Sequence, residues 1–351
     1  MQFENMLISE NTSLIEAMRS LDESAKKVLF VLREGKLIAS LSDGDIRRWL
    51  LAGGGLDAPV SKMANYHPKY MSMQDKKTAE QYIRQHHLDA LPIVNEDNEI
   101  IDIICIYGEE QLQRYENELK DVPVVIMAGG LGTRLYPYTK ILPKPLIPVG
   151  DIPITEHIIN QFRAFGCSEF YMIVNHKKNM IKAYYNEIEK DYALHFVDED
   201  VPLGTGGGVG LLKGMIDSTF ILTNCDSLIL EDYTKIVREH RSKHNAVTMI
   251  CSLKNFNIPY GIVEIGSDGG IETMKEKPQY SFFTNTGTYI VEPDIVSQIE
   301  PRKAVDFPNV IQSAKDKGMN VGVYPINEKA WLDMGQFDTL EDMRQRLGYQ
   351  V

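Results

Sequence analysis

From Val122 onward the sequence alternates apolar, strand-like runs with helical ones, and this rhythm constrains the fold more than any other feature of the chain. It predicts strands at Val122–Met127, Glu169–Val174, Ala193–Val197 and Thr219–Thr223, with helices at Ile154–Phe165, Met180–Glu189 and Tyr233–His240. Strands separated by helices imply an α/β domain built on a mostly parallel sheet. The later runs AVTMICSL, YGIVEIGSDGGIETMKEK and TNTGTYIVEP read as antiparallel, with Asp268-Gly269-Gly270 as a hairpin turn.

The first of these strands runs directly into glycines: VVIMAGGLGTRL, from Val124 to Leu135. A Walker A loop would continue as Gly-Lys-Ser/Thr, and here Thr133-Arg134 follow. A dinucleotide fingerprint counted from Gly130 would need glycine where Leu135 stands. The shared physics survives the failure of both patterns. Gly129, Gly130 and Gly132 let backbone N–H groups approach a phosphate, and Arg134 can meet it with a fork of donors.

The chain's 351 residues are 43% hydrophobic, enough for two domains with a full core each. A net charge of −12 argues against nucleic acid as a bulk partner, so an anionic substrate must be met by a few placed cations. No apolar run approaches membrane-spanning length, and the opening MQFENMLISENTS lacks a signal-peptide pattern, so a cytoplasmic location is expected. Cys105, Cys167, Cys225 and Cys251 are far apart and form no Cys-x-x-Cys pair, so they read as reduced and mostly buried thiols.

The N-terminal third repeats on itself. VLFVLREGKLIASLSDGDIRRWL (Val28 to Leu50) aligns with LPIVNEDNEIIDIICIYGEEQL (Leu91 to Leu112) as strand, turn, strand and helix, each preceded by a helical stretch near Leu14 to Leu21 or Ala79 to His87. This region resembles a tandem pair of cystathionine-β-synthase (CBS) domains. The resemblance implies an adenine nucleotide as partner, with Ser42 and Asp45 contacting its ribose. The second copy carries Cys105 and Gly108 at those places. A charged segment, Gly108 to Asp121, is the expected boundary, giving domains 1–120 and 121–351.

Beyond the glycine stretch come LPKPLIPV, PLGTGG, NCDSL, YGIVEI, EKP, NTGTYI and WLDMG, in that order. The series resembles the sugar-1-phosphate nucleotidyltransferase family over about residues 122 to 335. The resemblance implies a Rossmann-like, mixed-sheet nucleotidyltransferase domain preceded by an α+β tandem CBS pair, and a reaction between a nucleoside triphosphate and a sugar-1-phosphate. It gives Arg134 and Lys144 to the triphosphate, with Gly129, Gly130, Gly132, Thr133 and Gly204 around the nucleotide. It gives Asp226 and Asp333 to Mg²⁺, Lys277 to the sugar phosphate, and Glu276, Gly261 and Asn285 to the sugar. Glu199 stands where relatives that use guanine tend to carry an acid, and a carboxylate can accept two N–H bonds from the guanine edge.

Each residue also has a plainer reading. Lys144 could be a surface lysine, Asp226 a helix cap, Glu199 part of a solvated acidic loop, and Glu276-Lys277 a solvated charged face. His240 and His244, four apart on a helix, have zinc-compatible spacing without a third ligand nearby, and read as polar helix surface; His86-His87 reads as a helix end. The domain order resembles proteins assigned to glucosamine-1-phosphate guanylylation in bacterial legionaminic acid synthesis. That implies GTP and glucosamine-1-phosphate as substrates and a homo-oligomer regulated or assembled by its CBS pair. Mannose-1-phosphate guanylylation, thymidylylation of glucose-1-phosphate and a catalytically silent nucleotide sensor stand as alternatives.

Overall fold

The computed structural model describes residues 3–24, 27–86, 88–105 and 118–349. The chain divides into two units, Met1–Arg114 and Tyr115–Val351. Gly108, most of the expected boundary segment and His87 lie outside the described residues.

In the second unit seven strands form one sheet: β1 (Val124–Ala128), β2 (Glu169–Val174), β3 (Ala193–Asp198), β4 (Phe220–Asn224), β5 (Val247–Asn257), β6 (Gln279–Val291) and β7 (Val321–Ile326). They lie in the order β3-β2-β1-β4-β6-β5-β7. The first four are mutually parallel, β6 runs against both its neighbours, and β5 and β7 are parallel to each other. The sheet is therefore mixed and rich in parallel pairs.

Strand periodicity explains why β1 is apolar throughout. Val124, Ile126 and Ala128 face one core with Phe170, Met172 and Ile221, while Val125 faces another with Ile173, Leu222 and Phe307. A strand covered on both faces has no position left for a polar side chain. Helix α1 (Ile154–Ala164) closes the first face with Ile154, Ile158 and Phe162. Helix α2 (Lys178–Glu187) adds Ile181 and Tyr185 to the same core.

Helix α3 (Tyr233–Ser242) begins where Asp232 accepts the N–H groups of Thr234 at 3.0 Å and Lys235 at 3.3 Å. Asp232, then, is the cap after β4, and Asp226 is free of that duty. His240 corrects the surface reading: it is fully buried, with Nδ1 2.8 Å from Thr248 Oγ1 and Nε2 3.0 Å from Glu292 Oε1. Its partners come from the start of β5 and the residue after β6, which helix periodicity cannot reveal.

Two small ladders matter for the site. Ser227–Ile229 pairs antiparallel with Trp331–Asp333. Ile262–Ile265 pairs with Ile271–Lys275 through the expected turn, which the Gly266 and Gly269 N–H groups close with bonds to the Gly270 and Gly266 carbonyls, each 2.9 Å.

The first unit contains the same topology twice. Leu7–Ser9 lies parallel to Val28–Arg33, which lies antiparallel to Lys36–Ser42. Met71–Ser72 repeats this against Ala90–Val94 and Ile100–Cys105. Helices Leu14–Ser24 and Ala79–His86 precede the two hairpins. Among the described residues no helix is long and apolar enough to cross a membrane.

Candidate active site

The chain winds outward from β1 through β2 to β3, then returns to place β4 on the other side of β1. Such a reversal opens a crevice at the carboxyl ends of the strands. The residues just beyond those ends, Gly129, Asn175, Glu199 and Asp226, all line one cavity of about 490 Å³. Gly130, Gly132, Thr133, Arg134, Lys144 and Gly204 line it too. A second cavity, of about 430 Å³, is bordered by Asn285, Trp331 and Asp333. The two share Met127, Arg134, Thr205, Asn224, Asp226 and Asp306.

The short Ser227–Ile229 ladder brings Asp226 and Asp333 together. Ser227 pairs with Asp333, and the Met334 N–H donates to the Asp226 carbonyl at 2.8 Å. Lys144 Nζ forms an ion pair with Asp226 Oδ2, and both side chains are nearly buried. Burial works to lower the Lys144 pKa, but the charge and hydrogen bond of Asp226, with the charge of Asp333, outweigh it and raise the value. Burial, and then the Asp226 charge, push the Asp333 carboxyl up, against Lys144, Lys254 and Arg134. Arg134 is exposed and, among the described residues, has no ion-pair partner. Cys225 borders the first cavity, yet burial and the neighbouring Asp226 carboxylate push its thiol up to about 12, so it remains protonated.

Glu199 is buried at 6% exposure, which removes the solvated-loop reading. Its main chain is pinned by its N–H to the Val174 carbonyl at 2.9 Å and by Asn175 Nδ2 to its own carbonyl at 3.1 Å. The side chain packs over Gly129, where a Cβ would come within 2.8 Å of Oε2. Oε1 lies against Gly208 and, among the described residues, has no hydrogen-bond partner; burial raises the carboxyl pKa while a bond from the Leu203 N–H opposes the rise. A buried acceptor left without a donor costs stability.

Gly204 sits at φ +73°, and a Cβ there would lie 2.8 Å from the Val305 carbonyl. The same carbonyl accepts the N–H groups of Gly206 at 2.8 Å and Gly207 at 3.0 Å. This contact carries Asp306 into both cavities. Asp306 was missed in the sequence because no pattern marks it; Thr205, inside PLGTGG, and Asn224, next to the Cys225-Asp226 pair, could have been found from those motifs.

Not every expected residue is gathered. Gly261, Glu276 and Lys277 are exposed, at the base of the Ile262–Lys275 hairpin, and line neither cavity. In the first unit, Ser42 and Asp45 close a capping box on helix Asp43–Leu51. The Asp45 carboxylate accepts the Ser42 N–H at 2.8 Å and hydroxyl at 2.6 Å, and pairs with Arg48.

Two carboxylates, one of them pushed up by burial and then by the charge of the other, make a donor set that suits a hard dication. Among the described residues no group of three His, Cys, Asp or Glu could hold a metal. A Mg²⁺ here would complete its shell with water and phosphate oxygens, as this ion usually does.

The chain is 30% identical over 237 residues to a UTP–glucose-1-phosphate uridylyltransferase of Synechocystis sp., and 29% identical over 226 residues to a mannose-1-phosphate guanyltransferase of Schizosaccharomyces pombe. Each match covers 60% of both proteins, so the chain spans about three fifths of the length of these curated relatives. HddC from Yersinia pseudotuberculosis, solved in complex with GMP-PN, superposes with a TM-score of 0.51 at 22% identity, covering 64% of this chain and 99% of that one, which shows a shared fold. A model described as nucleotidyl transferase matches residues 123–349, the whole sheet and both cavities included, and on that match the chain belongs to the nucleotidyl transferase family.

Proposed function

We propose that the second unit joins GTP to a sugar-1-phosphate, giving a GDP-sugar and pyrophosphate. The observation that carries this reading is the sharing of Arg134 and Asp226 by two adjoining cavities. One, with the glycine loop and Glu199, suits a nucleoside triphosphate. The other, beside Asn285 and Trp331, suits a hexose phosphate. A sugar-phosphate oxygen would bond to the α-phosphorus as the bond from that phosphorus to the αβ-bridging oxygen breaks, and the bridging oxygen leaves with pyrophosphate.

No side-chain nucleophile is needed, and the protonated Cys225 supplies none. Catalysis then rests on alignment of two anions and on charge neutralisation. Arg134 binds the triphosphate, and Lys144 holds Asp226 and faces the same phosphates. Asp226 and Asp333 would hold Mg²⁺, which when bound supplies neutralisation of phosphate charge.

Guanine is supported by Glu199, a buried carboxylate on the wall of the first cavity that can accept an N–H from the base edge. For the sugar we propose glucosamine-1-phosphate, on the resemblance of the domain order. For Lys277 to grip its phosphate and Glu276 its hydroxyls, the hairpin beside them must move toward the second cavity. We propose the first unit as a CBS pair that takes an adenine nucleotide and assembles or regulates the enzyme; its twice-used topology supports this.

The test is a panel of GTP, dTTP and UTP against glucosamine-, mannose- and glucose-1-phosphate, with products identified by mass. A GDP-sugar as main product supports the reading. A dTDP- or UDP-sugar as main product overturns the guanine assignment, and no nucleotide sugar from any pair overturns the reaction.

A further inference from the structure

Lys177 belongs to none of the motifs above, yet it is held in an arrangement its own element does not require. It precedes α2 in the left-handed region, at φ 52° and ψ 32°, where a side chain with a Cβ is disfavoured. Its ammonium donates to three successive carbonyls: Thr139 at 3.0 Å, Lys140 at 2.7 Å and Ile141 at 2.9 Å. An ammonium has three donors, and these bonds use all of them. The acceptors close the carboxyl end of the short helix Tyr138–Ile141, where unpaired C=O groups favour a cation.

That helix in turn holds the glycine loop. Thr139 is buried, and its hydroxyl donates to the Gly132 carbonyl at 2.8 Å. At the other end of the loop, the His176 N–H reaches the Gly129 carbonyl at 3.4 Å. Residues 176 and 177 therefore fasten both ends of the stretch that carries Arg134. Between these fastenings Leu131, Arg134, Tyr136, Tyr138 and Ile141 are exposed, so core packing there rests chiefly on Leu135 and Thr139.

We propose that Lys177 is a positioning residue for the triphosphate: through the 138–141 helix and Gly132 it holds the glycine loop and Arg134 in the geometry that receives the nucleotide, without touching substrate itself. The inference rests on the assignment of that loop to the triphosphate. Its physical basis is that misplacing a binding group by about 1 Å can cost on the order of a hundredfold in rate.

The test uses the full chain with Lys177→Gly, Lys177→Met and Lys177→Arg. Glycine removes the ammonium but suits the left-handed backbone, so it separates anchoring from folding. We expect Lys177→Gly and Lys177→Met to raise the KM for GTP about tenfold or more, to leave the KM for the sugar-1-phosphate unchanged, and to speed amide hydrogen exchange across residues 131–141 in the ligand-free protein. Lys177→Arg should recover most of the GTP affinity. Unchanged exchange and unchanged GTP KM in Lys177→Gly would overturn the inference. So would equal losses for both substrates that track the fall in Tm. Faster exchange in a protein whose wild type shows no turnover would keep the anchor and discard the triphosphate assignment.

Discussion

Asp226 and Asp333 stand side by side at the end of one short ladder, with the Met334 N–H on the Asp226 carbonyl and Lys144 on the Asp226 carboxylate. The arrangement concentrates two negative charges at the junction of two cavities, with Lys144 paired to one of them and Lys254 and Arg134 acting on the other at longer range. Its consequence is a site that gains from a further cation.

A divalent cation should therefore stabilise the folded protein. Mg²⁺ at about a hundred times its Kd would add roughly 2.7 kcal/mol, read as a rise in Tm. Asp226→Asn and Asp333→Asn should each remove most of that rise, because an amide is a poorer ligand for a hard ion. An undiminished rise in Asp333→Asn would place the second ligand elsewhere.

Lys144→Met should cost stability as well as activity. Breaking a buried ion pair costs roughly 3–5 kcal/mol, and we expect the lower end because both side chains keep some contact with water. The variant loses one of the three cations that oppose the raised Asp333 pKa, so that pKa rises further. A carboxyl raised on folding opposes folding above its unfolded pKa, so the penalty is full at neutral pH. It fades as pH falls through the ordinary carboxylate range, where the group is protonated in both states. Urea unfolding across pH checks this; a penalty that grows toward acid would contradict it.

Glu199 gives a pH dependence of its own. Burial holds its carboxyl above the usual range, so it protonates at a higher pH than an exposed glutamate. A guanine edge needs the ionised form, so GTP affinity should be full above that raised pKa and fall as pH drops through it. UTP and dTTP affinities should stay flat. Calorimetric titrations between about pH 5 and 8 decide this, and parallel curves for all three nucleotides would refute the guanine contact. Glu199→Gln should lose roughly 1–3 kcal/mol of GTP affinity.

In the first unit, Asp45→Ala should lower stability by about 1 kcal/mol through loss of the capping box, while leaving the KM values of the second unit alone. If an adenine nucleotide raises the Tm of wild type and not of Asp45→Asn, the same carboxylate also meets the ligand.

Much of this was legible because buried parallel strands must be apolar throughout. Glu169–Val174 and its neighbours announce themselves as runs, and the structure shifts their ends by only a residue or two. Lys144, Asp226, Glu199 and Asp333, which line the two cavities, were singled out by the order of motifs and not by any one of them. Contacts made by backbone were not readable: Asp306 enters both cavities because the Val305 carbonyl grips Gly206 and Gly207. His240 was misread because its partners, Thr248 and Glu292, are distant in sequence. Lys177 escaped notice for the same reason, since its three acceptors are carbonyls, which every residue carries.

The reaction is tested most directly by pyrophosphate release from the 351-residue chain with GTP and glucosamine-1-phosphate, each omitted in turn, beside Arg134→Ala. Release should require both substrates and should fall by about a hundredfold or more in the variant, as loss of one preorganised charge contact commonly causes. Release that proceeds without the sugar phosphate, or an Arg134→Ala rate equal to wild type, would contradict the proposed reaction.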